Sequence, residues 1–69
     1  MRTRYDRAAV QRIRLAKKLS VETLAKLSGV SQRGLYQIDR GQSEPLADSL
    51  GRIAEALGVP IASFYHRVR

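Results

Sequence analysis

The 69 residues include no cysteine and no tryptophan, a single histidine, a single methionine, one phenylalanine and three tyrosines. Without cysteine there is neither a disulfide nor a thiolate metal site, and the redox compartment is left open. A zinc site built on the lone His66 would need carboxylates for its other ligands, so no metal and no cofactor are expected. No apolar run approaches the ~20 residues that span a bilayer, and no hydrophobic stretch follows Met1 as in a secretory leader. The expectation is a cytoplasmic chain without a membrane partner. Catalytic signatures are missing as well. The serines at 20, 31, 43, 49 and 63 have no histidine at a spacing suited to activating a nucleophile, and there is no Gly-rich phosphate loop or acid–base pair. An enzyme is not expected, nor a small-molecule ligand.

Acids are scarce: six against thirteen Lys and Arg, a net charge of +7. The imbalance is local. Residues 1–20 hold Arg2, Arg4, Arg7, Arg12, Arg14, Lys17 and Lys18 against Asp6 alone, whereas residues 41–69 carry three of each sign. A polyanion near the N-terminal segment would account for this, with a well-solvated basic helix as the plainer reading. Lying on an anionic membrane would require an apolar face that the core needs.

The chain does contain well-placed helix punctuation. In residues 20–40, SVETLAKLSGVSQRGLYQIDR, Ser20 is placed as an N-cap with Glu22 in the first turn, and Gly29 suits a helix end. Ser31 caps a second helix running to about Arg40, where Gly41 stops it. Roughly three residues separate the two helices, the spacing of a helix-turn-helix. At about 100° per residue, Gln32, Arg33, Tyr36, Gln37 and Arg40 share one arc of the second helix. Leu35, Ile38 and Gly34 lie opposite, with Asp39 at the border. A face meant only for solvent would more often carry Glu and Lys. Amides and guanidiniums, by contrast, pair two-point with adenine and guanine in the major groove.

The remaining sequence reads as three more helices, with no repeat and no linker. The first runs from about Asp6 to Lys17, with Val10, Ile13 and the stem of Lys17 inward and Leu15 pointing away. The fourth spans about Leu46 to Leu57 on a stripe of Leu46, Leu50, Ile53, Ala54 and Leu57. A short fifth starts at Pro60 and runs to about Tyr65, with Ile61 and Phe64 closing the core. The expected fold is all-α, a compact five-helix single domain over residues 1–69, with a basic arm at 1–5 and a short tail at 66–69.

Several fragments together resemble the Cro/CI-type, or Xre, family of helix-turn-helix proteins: V-x-x-I-R at 10–14, LS at 19–20, Glu22, LA at 24–25, GVS at 29–31, Leu35, and I-D-R-G at 38–41. Pro45, L-x-R-I-A-E-A-L-G-V at 50–59 and Phe64-Tyr65 complete the match, which covers about residues 8–65. The resemblance implies a lambda-repressor-like DNA-binding domain that acts as a homodimeric transcriptional regulator, most often a repressor, on an inverted-repeat operator. Carried over by position, it makes Gln32, Arg33, Tyr36 and Gln37 base readers. It sets Ser20, Val21, Ser31, Arg40, Gln42 and Ser43 along the sugar-phosphate backbone, and pairs Arg14 with Asp39 in a largely buried structural ion pair. The sequence departs from the family where Val21 replaces a frequent phosphate-clamping Gln, leaving only a backbone N–H there. It departs again where Lys18 replaces a frequent Gly, and Gly34 and Gly51 lie inside predicted helices.

One domain of this size reaches only a few base pairs, so useful specificity implies two copies. Ile61, Tyr65 and Val68, with Phe64 and the loop before the fourth helix, are the candidate dimer contacts; core closure is the plainer role for Phe64. The arm at 1–5 could reach around the duplex or be a disordered tail. Expected partners are double-stranded DNA and a second copy, with the nucleoid as location. The alternatives are an antitoxin or other protein-interaction module of the same fold, for which no extra toxin-covering segment is seen, and unselective nucleoid coating.

Overall fold

A computed structural model of the protein describes residues 2–68, leaving Met1 and Arg69 outside the described residues. Among the described residues there are four helices: α1 (Ala9–Ala16), α2 (Val21–Ser28), α3 (Gln32–Asp39) and α4 (Ala47–Leu57). A 3₁₀ turn follows at Ile61–Phe64, and two strands, β1 (Arg2–Tyr5) and β2 (Tyr65–Val68), pair antiparallel.

Local chemistry explains the helix ends. The Ser20 hydroxyl accepts from the Thr23 N–H at 3.0 Å, and the Ser31 hydroxyl from the Gly34 N–H at 3.1 Å, each satisfying a first-turn donor. Gly29 ends α2 at φ +75°, a conformation costly to any residue with a Cβ. Lys18 adopts φ +58° in the turn before α2, the one non-glycine residue with positive φ among the described residues. A residue with a Cβ pays about 1–2 kcal/mol to hold that left-handed conformation, which glycine would adopt freely.

The core lies where α2, α3 and α4 meet α1 and the 3₁₀ turn. Val10, Leu24, Leu35, Leu50, Ile53 and Phe64 are its largest fully buried side chains. Burying such residues stabilises by about 1.5–3 kcal/mol each, which is how so small a chain offsets its ordering entropy.

The all-α, five-helix expectation needs correction. The fifth helix is a single 3₁₀ turn ending at Phe64, because Tyr65 is extended (φ −122°, ψ 150°) and begins β2. The described parts of the expected basic arm and tail form one ribbon, with Arg2 opposite Val68, Thr3 opposite Arg67, Arg4 opposite His66 and Tyr5 opposite Tyr65. Tyr5 is buried and meets Tyr65 edge-on at 5.9 Å between ring centroids. The first helix starts at Ala9, later than Asp6. Asp6 instead folds a turn ahead of it, its carboxylate accepting from the Ala8 N–H at 2.9 Å. Leu46 is not part of the core stripe: it precedes α4 and is 79% exposed. Lys17 also lies exposed just past α1.

Candidate nucleic-acid interface

Three residues, Gly29, Val30 and Ser31, join α2 to α3. Leu24 and Ala25 of α2 and Leu35 and Ile38 of α3 are buried between the helices and the rest of the core. This anchoring turns Gln32, Arg33, Tyr36, Gln37 and Arg40 outward together, all exposed. Ser28 contributes a support that sequence spacing did not disclose: it is buried, accepts from the Val30 N–H at 3.2 Å and donates to the Ala25 carbonyl at 3.4 Å. The turn is therefore held by side-chain bonds at both ends.

Behind the displayed face, Arg14 of α1 grips the far end of α3. Its Nε donates to Asp39 Oδ1 at 2.7 Å and its Nη2 to Asp39 Oδ2 at 3.1 Å, a two-point contact. Nη1 donates to the Leu19 carbonyl at 2.7 Å, tying in the segment that leads to α2. Gln11 donates a further bond to Asp39 Oδ2 at 3.2 Å. The bond to Asp39 raises the Arg14 pKa against the opposing effect of burial. A single arginine thus fixes α1, the entry to α2 and the exit of α3 relative to one another.

On the outer face, the Tyr36 hydroxyl donates to the Glu22 carboxylate across the helix pair. That bond pulls the Glu22 pKa down and pushes the Tyr36 pKa up. The Arg40 guanidinium lies 5.7 Å from the centroid of the Tyr36 ring, so the ring is engaged at its edge by Glu22 and approached over its face by a cation. The Arg40 contact joins residues four apart on one helix, as helical spacing allows, whereas the Glu22 contact joins two helices and nothing in the local pattern announced it.

The loop after α3 is anchored from α1's side. Arg7 Nη1 donates to the Gly41 carbonyl at 2.9 Å, and a Cβ on Gly41 would lie 3.3 Å from both the Arg7 carbonyl oxygen and its Cβ. Gly41 adopts φ +72° there. Gln42 beyond it is exposed, and its N–H donates to the Gln37 carbonyl at 2.9 Å; Ser43 is half-buried. At the start of α2, Ser20 is exposed while Val21 is buried, so the Val21 side chain is not displayed. Ser31 is exposed at the start of α3.

Of the two glycines in helices, Gly34 would bring a Cβ within 3.1 Å of its own cap, the Ser31 hydroxyl, and 3.8 Å of Val30, with no atom of α2 nearby. Packing of α2 on α3 therefore does not call for it. Around Gly51 there is nothing within 4 Å. Among the candidate dimer contacts, Ile61 and Tyr65 are exposed, Val68 is half-buried, and Phe64 is wholly buried, closing the core. Among the described residues no group of His, Asp or Glu gathers as a metal site, and no helix is long and apolar enough to cross a membrane.

Residues 10–64 match the family model described as helix-turn-helix. The transcriptional regulator SutR of Escherichia coli is 34% identical over 61 residues, covering 88% of this chain and 34% of the relative. An uncharacterised helix-turn-helix transcriptional regulator of Mycobacterium tuberculosis is 45% identical over 49 residues, covering 71% of this chain and 35% of its own. The chain thus spans about a third of the length of these relatives. Among solved structures, the restriction-modification controller protein C.AhdI from Aeromonas hydrophila superposes with a TM-score of 0.79 at 31% identity, covering 84% of this chain and 88% of that one. A helix-turn-helix transcriptional regulator from Vibrio cholerae superposes with a TM-score of 0.77 at 34% identity, over 86% of this chain and 34% of that one.

Proposed function

The chain belongs to the helix-turn-helix family of Cro/CI (Xre) type, and from that premise we propose that it is a sequence-specific DNA-binding transcriptional regulator, acting as a homodimeric repressor on an inverted-repeat operator. The observation that carries this reading is the outward display of Gln32, Arg33 and Gln37 on a helix whose Leu35 and Ile38 are buried and whose end is clamped by Arg14. A helix already fixed in place adds no backbone ordering cost on binding, so bonds from its side chains to base edges translate into discrimination.

In this mechanism α3 enters the major groove. Gln32 and Gln37 offer two-point amide bonds to adenine, and Arg33 a two-point bond to guanine. Tyr36, its hydroxyl engaged by Glu22, offers its ring to a thymine methyl. Arg40, Gln42 and Ser43 follow the backbone beyond α3, while Ser20, the Val21 N–H and Ser31 approach phosphate at the two helix starts. Lysines and arginines release counterions from the duplex and supply the salt-dependent share of affinity. Ile61, Tyr65 and Val68, with the exposed Leu46 before α4, offer the contact between two copies. Such a pair would set its α3 helices about 34 Å apart, one turn of DNA. The reading places the protein in the cytoplasm, on the nucleoid.

Binding-site selection from a random duplex pool, with salt titration, tests it. An inverted repeat should emerge; equal recovery of all sequences would make the protein an unselective coat.

A further inference from the structure

The ribbon of β1 and β2 gathers exposed positive charge that helix-turn-helix geometry does not require. Cross-strand pairing sets Arg4 opposite His66 and Arg2 opposite Val68, so Arg2, Arg4 and His66 share one face of the ribbon with Val68, the residue offered above to a second copy. Arg67, opposite Thr3, lies on the other face with Tyr5 and Tyr65. Arg2, Arg4, His66 and Arg67 are all exposed. Among the described residues the ion pairs are Arg12 with Asp6, Arg14 with Asp39 and Arg52 with Asp48, so none of the ribbon's arginines is matched. Strand pairing holds Arg2 and Arg4 roughly 7 Å apart on the same side, where they repel one another.

The ribbon's root is fixed beside the loop that leaves α3. The Asp6 N–H donates to the Phe64 carbonyl at 2.8 Å, closing the ribbon's base, and the next residue, Arg7, bonds the Gly41 carbonyl. Arg4, Tyr5 and Arg7 line a shallow cleft together with Glu44 of that loop. Glu44 is the acid at this root and Asp6 the other nearby, the latter bonded to Arg12. A duplex seated on α3 and on Gln42 and Ser43 would therefore meet the ribbon next.

We infer that the face carrying Arg2, Arg4 and His66 is a second DNA-backbone contact, taking phosphates beyond those met by α3 and its loop. The inference rests on the DNA-binding reading above and adds affinity without base choice, since exposed arginines on phosphate hold register only.

The test compares full-length parent, Arg2→Gln/Arg4→Gln, Arg67→Gln and Arg33→Ala in salt titrations on the selected duplex and on a random one. The double variant should flatten the slope of log affinity against log salt by about 2, near 0.9 per phosphate lost, and weaken both duplexes alike. Arg67→Gln, a charge lost from the opposite face, should leave the slope within ~0.3 of the parent. Thermal melting of all variants should match the parent; if the double variant melts early, Arg4→Gln alone should remove about 0.9 from the slope. A parental slope for the double variant, with Arg33→Ala still losing site preference, overturns the ribbon's role and leaves the regulator standing. Equal flattening by Arg67→Gln also overturns it, since net charge alone would then explain the effect. A parent that binds no duplex overturns both.

Discussion

Replacing Asp39 by alanine strips Arg14 of two of its three hydrogen bonds and leaves a guanidinium whose side chain is only 11% exposed facing a single carbonyl, that of Leu19. Breaking one side of a buried ion pair costs about 3–5 kcal/mol, mostly because the surviving charge is desolvated without compensation. At roughly 0.05–0.15 kcal/mol per residue, a domain of 69 residues has on the order of 3–10 kcal/mol in total, so the loss is a large share of it. A melting point falling by about 4–8 °C per kcal/mol should drop by at least ~12 °C. The companion variant Arg14→Met/Asp39→Leu removes both charges and should recover to within ~1 kcal/mol of the parent or better. Urea unfolding followed by circular dichroism reads both, as a shift in midpoint at constant slope. A cost below ~1 kcal/mol for Asp39→Ala, the range of an exposed ion pair, would refute the reasoning.

Three further outcomes follow from the same structure. The Tyr5 hydroxyl is buried without a hydrogen-bond partner among the described residues, and burial, with Glu44 second, pushes its pKa up to about 12. Below pH ~10 the tyrosine is neutral whether folded or unfolded. Between about 10 and 12 only the unfolded chain releases the proton, so stability should fall with rising pH there. Tyr5→Phe should abolish that loss and leave neutral-pH stability equal or up to ~2 kcal/mol higher, as melting curves at pH 8 and 11 would show. Lys18→Gly, relieving φ +58°, should stabilise by about 1 kcal/mol in urea unfolding; a destabilised variant would mean the turn is not strained. Gly51→Ala places its Cβ in open space and should raise stability by roughly 1 kcal/mol through helix propensity, checked by the same titration.

The helix-turn-helix was legible in the sequence because its signals are local: Ser20 and Ser31 cap within three residues, and Gly29 breaks within one. The buried faces of α2 and α3 follow from the same spacing. The ribbon was not legible, since each strand has four residues and its partner lies at the opposite end of the chain, with no turn between to announce a pair. Leu46 misled for a related reason. It fits the periodicity of α4, but the chain is not yet helical there, so angular position carries no information about burial. At the candidate interface, the displayed arc of α3 could be drawn from periodicity alone. The bond from Tyr36 to Glu22 could not, because it depends on how two helices cross rather than on either one.

Most direct is binding of Arg33→Ala and Gln37→Ala to the selected duplex beside single-base variants of that duplex. Each substitution should cost about 1–3 kcal/mol on the preferred site and relax preference at one base pair, leaving affinity for random DNA little changed. If both proteins bind the preferred site as tightly and as selectively as the parent, α3 does not read the sequence.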